Sequence, residues 1–201
     1  ITTSSRAGLL YATMPIFTII IACLFKIESF SISKLISVII AFSGVYFCLS
    51  EFIDPTAPHP IKGDFLMTIG VISASVFTVF SGRFLKKYGN VNVLIFTLFS
   101  GSISTMLICL LVGEKISNVL FLTDINYLYL FMLIIPGGIL MMYLWGKALQ
   151  MISPTQASIT LGFNPISATI LGHLILNEII SSRIFVAIGL IIIAIFISNW
   201  K

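Results

Sequence analysis

The chain has 201 residues, of which 58% are hydrophobic and 9% are charged, and its formal net charge is +4. A mean hydropathy of +1.13 excludes an ordinary soluble domain, because about a quarter of the residues in such a domain are charged. The basic residues are scattered at the edges of apolar segments, so a basic surface that binds nucleic acid is excluded as well.

Long apolar runs divide the chain into membrane spans. A spanning helix needs about 20 mostly apolar residues, and each span should be helical because lipid offers no partner for open backbone groups. The sequence therefore predicts an all-α integral membrane protein. Seven spans are expected, at residues 7–25, 33–50, 65–82, 91–113, 127–149, 154–176 and 183–200.

Two polar segments interrupt this pattern. The first, EFIDPTAPHPIKG at residues 51–63, is rich in proline and cannot continue a helix, so it predicts an extracytoplasmic linker in which His59 is a solvated loop residue. The second, residues 114–126, predicts a loop with an interfacial segment.

The basic residues indicate the orientation in the membrane. Because successive spans alternate in direction, seven Lys and Arg residues fall on one side and four on the other. Cytoplasmic loops carry the excess of Lys and Arg, so we expect the first side, and with it the C-terminus, to be cytoplasmic. The seven are Lys26, Lys34, Arg83, Lys86, Lys87, Lys147 and Lys201; the four are Arg6, Lys62, Lys115 and Arg183.

No motif in the chain indicates a metal, a cofactor or catalysis. Cys23, Cys48 and Cys109 lie within predicted spans and form no Cys-x-x-Cys pair, so neither a disulfide framework nor a metal site is expected. The sequence has no Gly-x-Ser-x-Gly, no His-Glu-x-x-His and no paired mid-membrane Asp. We expect no cofactor, no metal, no catalytic residue and no enzyme activity.

An internal repeat organises the chain. Residues 7–47 align without a gap to residues 157–197, at a shift of 150 positions. The first spans of the two copies are five spans apart, so the copies have opposite orientations in the membrane. Inverted repeats of this kind are typical of transporters that work by alternating access. The alignment pairs two mid-span prolines and two interfacial glutamates: Pro15 with Pro165, and Glu28 with Glu178.

The repeated segments, SSRAGLLYATMPIFTIIIACLFKIESFSISKLISVIIAFSGVYF and SPTQASITLGFNPISATILGHLILNEIISSRIFVAIGLIIIAIFI, resemble the end of an EamA repeat of the drug/metabolite transporter superfamily. That pattern runs from small residues to a Pro, then over twelve residues to a Glu, then into a helix of small residues. LWGKALQMISPTQAS also resembles the stretch before the last two spans of the family.

The resemblance implies ten spans in two inverted five-span repeats. Residues 1–50 would then be the C-terminal two spans of the first repeat and residues 64–201 the whole second repeat, with three spans missing from the start. The abrupt beginning, ITTSSRAGLL, agrees with this expectation. Three positions depart from the family pattern: Ser37 and Ala187 stand where Gly is frequent, and His173 stands where an apolar residue is usual.

Helix-breaking residues predict hinges around a central cavity, since breaks at matching depth mark substrate sites in such transporters. They are Pro15, Pro165, Pro136 and Gly137. The alternative is that Pro and Gly are simply more frequent in membrane helices. The repeat favours hinges for Pro15 and Pro165, while Pro136 stays open.

Polar and aromatic side chains within the spans predict the cavity lining. A buried Asn in a membrane needs a partner, which a substrate or a neighbouring helix could supply to Asn164. Hydrogen bonding to their own helix is an equal alternative for Ser75 and Thr78, as is the interfacial aromatic belt for Tyr143 and Trp145. The stripe that contains Ser158 and Gly162 favours close helix packing.

The expected function is movement of small metabolites across an inner membrane by alternating access, in either direction. No span has an Asp or Glu near its middle, which favours neutral or zwitterionic, amino-acid-like solutes over strongly cationic ones. The expected partners are the lipid bilayer and a small-molecule substrate, with a homodimer left open. The alternatives are a truncated, non-transporting membrane subunit and a seven-span receptor, although a receptor would lack the inverted repeat.

Overall fold

A computed structural model describes residues 10–49, 60–113, 124–164, 167 and 183–199. In these ranges the regular structure is helical, without strands, which confirms the all-α membrane fold. The elements are α1 (Met14–Leu24), α2 (Ile32–Leu49), α3 (Pro60–Tyr88), α4 (Asn90–Val112), α5 (Asp124–Ile134), a π-helical segment (Ile135–Leu140), α6 (Met141–Met151), α7 (Pro154–Thr160) and α8 (Arg183–Asn199).

Among the described residues, three helical stretches are long and apolar enough to cross a membrane: Ile61–Tyr88, Asn90–Val112 and Ile125–Met151. Helix α3 is longer than its predicted span at both ends. It starts at Pro60, inside the predicted linker, because Pro is well tolerated at the first helical position. It ends beyond Lys86 and Lys87, whose charges favour the C-terminal turn of a helix. Residues 51–59 of the linker, including His59, lie outside the described residues.

The chain forms two compact units. Unit 1 comprises Ile1–Phe80 and Ile152–Lys201, and unit 2 comprises Ser81–Met151. This division reflects contacts in space. The predicted boundaries of the two EamA repeats, at residues 50 and 64, rest instead on sequence similarity between the repeats. They stay a prediction.

In unit 1, α2 packs antiparallel against α8. Val38 and Ala41, early in α2, share a buried cluster with Ala194, whereas the later Val45 shares one with Ala187 and Ile191. The two helices therefore run in opposite directions, because later residues of α2 contact earlier residues of α8.

Gly44 allows the close approach of these two helices, and α7 completes the core of unit 1. A Cβ added to Gly44 would lie 3.1 Å from the Leu190 Cβ and 3.3 Å from the Ala187 carbonyl oxygen. Ile159 of α7 is fully buried with Val38, Ala41 and Ala194. On the same side of the core, a Cβ at Gly162 would lie 3.1 Å from the Ile191 Cδ1 atom. The small residues at 158 and 162 thus serve packing, since Ser158 is also fully buried.

In unit 2, the end of α3 and the start of α4 pack against α6. Leu85 and Leu149 are buried there, as is the polar Asn90. The amide of Asn90 donates from Nδ2 to the carbonyl oxygen of Tyr143 at 2.8 Å. Gly146 lies beside this amide, because a Cβ built on it would clash with the Asn90 Oδ1 atom.

Candidate functional site

The helical backbone is interrupted just before α1, at residues 12–13 ahead of Pro15. A turn at residues 12–13 precedes α1, and the Thr13 amide donates to the Leu10 carbonyl oxygen at 3.0 Å. Proline has no N–H and so cannot donate to the carbonyl of Tyr11, one turn earlier. The helix therefore restarts at Met14, with Pro15 in its first turn, and the hinge role of Pro15 stays a prediction.

A second interruption lies at the equivalent place in the other copy. Helix α7 ends at Thr160, and a turn at residues 161–162 follows. There the Leu161 amide donates to Ser158 and the Gly162 amide to Ile159, each at 3.1 Å. Ala12 in the first turn and Gly162 in the second are 150 positions apart, the shift of the repeat. Pro165 itself lies outside the described residues, as do His173 and Glu178.

The PGG sequence of unit 2 forms a π-helical segment, Ile135–Leu140, between α5 and α6. Pro136 stands at its start, and both Pro136 and Gly137 are exposed. A wider π turn of this kind frequently marks a functional position in a helix. The helix irregularity is observed, while the hinge role of Pro136 and Gly137 stays a prediction.

In unit 1, the predicted cavity residues differ in their environments. Ser75 and Thr78 are buried, whereas Asn164 is exposed and its backbone amide donates to Leu161 at 3.0 Å. The Ser75 hydroxyl lies 2.9 Å from the Val71 carbonyl oxygen and 3.3 Å from the Met14 carbonyl oxygen. Ser75 thus links α3 to α1 at the residue before Pro15. The cavity role of Ser75, Thr78 and Asn164 stays a prediction.

Ser75→Ala is expected to loosen the contact between α1 and α3 only slightly. A side-chain hydrogen bond between membrane helices contributes about 0.6 kcal/mol, so a small decrease in the thermal unfolding midpoint in detergent is expected. Ser73→Ala is the matched control, because the exposed Ser73 hydroxyl donates within its own helix. If the unfolding midpoint decreases equally in both variants, the contact with Met14 does not contribute to stability.

In unit 2, Tyr143 and Trp145 are half-buried on α6. The Nζ atom of the exposed Lys147 lies 5.8 Å from the centre of the Tyr143 ring, within the range of a cation–π interaction. Both interpretations of these aromatic residues, cavity lining and interfacial belt, stay open.

Sequence reasoning missed two polar contacts of unit 2. Asn90 bonds to Tyr143, as described above, and Gln150 donates from Nε2 to the Leu85 carbonyl oxygen at 2.8 Å. Both amides bind backbone carbonyls across more than 50 positions of sequence. The one available signal was that Asn90 and Gln150 are polar residues at the ends of apolar spans.

A third missed feature is a polar junction in unit 1, formed by Glu28, Lys34, Ser153, Thr155, Gln156 and Ser198. The Glu28 carboxylate accepts from the Thr155 backbone amide at 2.9 Å and pairs with the Lys34 ammonium group at 2.5 Å. Gln156 forms a capping box with Ser153 and donates from Nε2 to the Ser198 carbonyl oxygen at 3.2 Å. Sequence analysis predicted an interfacial turn for Glu28, and the junction gives this residue specific partners.

No metal centre is evident in the part of the chain that the structure describes. Within the described residues, no group of three or more His, Cys, Asp or Glu side chains could hold an ion.

Comparison with known proteins identifies the family. Residues 61–200 match the EamA-like transporter family, which is well over half of the chain. The chain belongs to the EamA-like transporter family. EamA proteins are membrane transporters of the drug/metabolite transporter superfamily and are not enzymes, so the resemblance noted from the two Pro-to-Glu segments is confirmed.

Solved structures support the fold. One crystal structure superimposes with a TM-score of 0.81 at 18% sequence identity, covering 99% of this chain and 68% of the other. At that identity the similarity concerns the fold alone. No curated protein matches the EamA chain significantly.

Proposed function

We propose that this EamA protein moves small neutral or zwitterionic metabolites, such as amino-acid-like solutes, across an inner membrane by alternating access. Its C-terminus would be cytoplasmic. The observation that carries the proposal is the antiparallel packing of α2 against α8 in unit 1, together with the internal repeat.

The register of that packing is the one that an inverted repeat would produce. Ala41 and Ile191 are equivalent under the 150-residue shift, and both are buried where α2 and α8 pack. Val38 lies with Ala194 on one side of this point, and Gly44 lies with Ala187 on the other. A two-fold axis in the membrane plane would place each helix against its own equivalent in this way.

The helix interruptions supply the movable parts. Both precede a proline of the repeat, one in each copy, and both replace ordinary helical hydrogen bonds by a turn. A bend is easier where the hydrogen-bond ladder is already open. The two halves could therefore exchange conformations by bending at these turns, which would open the cavity to each side in succession.

The distribution of charge favours uncharged or zwitterionic solutes. In the described residues, the acidic side chains stand in a turn or near helix ends: Glu28, Asp64 and Asp124. An ionised group in a membrane span needs a partner, and a strongly cationic solute would find none at mid-span here. An exposed amide such as that of Asn164 suits a zwitterion, since it both donates and accepts hydrogen bonds.

Transport assays test the proposal directly. The full-length protein, in vesicles, should move one or more members of a metabolite panel, and Pro15→Ala should slow that movement about tenfold, equivalent to about 1.4 kcal/mol on the conformational step. Pro165→Ala should act similarly. Asn164→Ala should instead weaken apparent affinity for the solute.

Gly101→Ala is the control, because an added Cβ there meets nothing within 4 Å. If the unaltered protein moves no solute of the panel, a non-transporting membrane subunit becomes the better interpretation. If transport occurs and neither proline variant slows it, the hinge assignment is wrong.

A further inference from the structure

The polar junction of unit 1 joins the two copies of the repeat at one end. Glu28 and Lys34 belong to the first copy, whereas Thr155 and Gln156 lead into the second copy and Ser198 lies just beyond it. All of these residues lie at the end of the unit where α2 and α7 begin and α8 ends.

The turn after α1 aims Glu28 at α7. Lys26 has a positive φ of 52°, and the amides of Ile27 and Glu28 both donate to the Ala22 carbonyl oxygen, at 2.8 and 3.2 Å. A left-handed residue just past the last turn is a common way to end a helix, although Gly usually fills it. The turn directs the Glu28 side chain, only 5% exposed, to the first turn of α7.

The Glu28 carboxylate uses both oxygens to hold the junction together. Oε1 accepts from the Thr155 amide, one of the first amides of α7, which have no partner within their own helix. Oε2 pairs with Lys34 at the start of α2. One side chain therefore fixes α7 to both the α1–α2 turn and α2.

The energetics of the junction suit a contact that breaks and re-forms. The Glu28–Lys34 ion pair is partly buried, so it fixes geometry but contributes little net free energy, because desolvation offsets much of the attraction. The buried Thr155 hydroxyl, which has no hydrogen-bond partner in the described part of the chain, reduces the stability of the closed arrangement further.

We propose that Glu28 is a latch that holds this end of unit 1 closed by joining the α1–α2 turn to the first turn of α7. Opening of the cavity at this end then requires Glu28 to release the Thr155 amide. The latch rests on the alternating-access mechanism proposed above and adds the contact that controls one of its two faces.

Two buried reporter positions allow a test in the full-length protein with Cys23, Cys48 and Cys109 replaced by Ser. Ser158→Cys lies one turn from Thr155, and both native side chains are fully buried. Val45→Cys is also at a buried position and lies 11 residues after Lys34 in α2, or about 16 Å along the helix. A membrane-impermeant maleimide reports the opening of one end in right-side-out vesicles and of the other end in inside-out vesicles.

Glu28→Ala should raise the labelling rate at Ser158→Cys several-fold and lower the rate at Val45→Cys, because opening one end closes the other. Glu28→Gln preserves the side-chain volume and an acceptor oxygen, so it should give the same pattern more weakly, even if the Ala variant folds poorly. Lys87→Gln, at an exposed position in α3, should change neither rate.

Two outcomes would overturn the latch: rates that rise at both positions, as in a generally loosened bundle, or rates that stay unchanged at both. The transport assay is read separately. Reciprocal labelling without solute movement would retain the latch and refute the proposed function. Solute movement without reciprocal labelling would refute the latch alone.

Discussion

Gly146→Ala is expected to destabilise unit 2 by about 2–4 kcal/mol, since it combines overpacking with the loss of a buried hydrogen bond. The new methyl group would clash with the Asn90 Oδ1 atom and lie 3.3 Å from the Leu85 Cδ2 atom. The Asn90 amide must then move, and its bond to the Tyr143 carbonyl oxygen is lost. The thermal unfolding midpoint in detergent measures the effect.

A double-mutant cycle isolates the cause. Asn90→Ala alone should cost about 1 kcal/mol, the typical net value of one hydrogen bond. In the double variant with Gly146→Ala, the side chain that clashes is absent, so the loss should be smaller than the sum of the two single losses. Additive losses would show that the clash with Asn90 is not what makes Gly146 necessary. Gly101→Ala in α4, with open space around the added Cβ, serves as the control.

Gly44→Leu is expected to separate α2 from α8 and to destabilise unit 1 by about 1–3 kcal/mol or more. Even a Cβ at this position would lie 3.1 Å from the Leu190 Cβ, and a Leu would add three further carbon atoms there. The backbone of α8 stands opposite, at the Ala187 carbonyl oxygen 3.3 Å away, so no flexible side chain can yield. Unfolding in detergent and the yield of folded protein report the loss.

Gly189→Leu is the matched control for this substitution. Gly189 lies in α8 itself, and an added Cβ meets nothing within 4 Å. It should change stability by a few tenths of a kcal/mol, as surface substitutions usually do. If both variants lose the same stability, the effect belongs to Leu in a membrane helix and not to the contact between α2 and α8.

The two glycines together explain why the helices of each unit approach closely. Membrane helices gain little from burying apolar surface against each other, because lipid is equally apolar. Close packing and hydrogen bonds to backbone carbonyls supply the attraction instead. Gly44 allows close packing in unit 1. In unit 2, Gly146 allows close packing and Asn90 supplies a hydrogen bond to a backbone carbonyl.

Much of the fold follows from hydropathy. The apolar runs predicted α2, α4 and α8 to within about two residues at each end, because lipid permits only structures that satisfy the backbone internally. Helix interruptions lie a few residues ahead of Pro15 and Pro165 in the sequence, and the hinge role of these prolines stays a prediction. The start of α3 at Pro60 lies earlier than the predicted span, because Pro at the first helical position is compatible with a helix.

The candidate site was harder to predict. Helical periodicity put Ser75 and Thr78 on an inward face, and both are buried. The Ser75 hydroxyl contacts Met14, however, 61 positions away, a pairing that periodicity within a single helix does not predict. Asn164, expected to need a partner, is exposed in unit 1, and its role in binding a solute stays a prediction.

By itself, the sequence determined the membrane class and the helices α2, α4 and α8, because these depend on local hydropathy and on backbone chemistry. The tertiary structure alone decided which partners the polar residues have. Glu28 binds an amide 127 positions along the chain, and Asn90 binds a carbonyl 53 positions along. The spacing of residues in the sequence does not predict such pairs, since each pair depends on how two distant helices pack and not on the neighbouring residues in the chain.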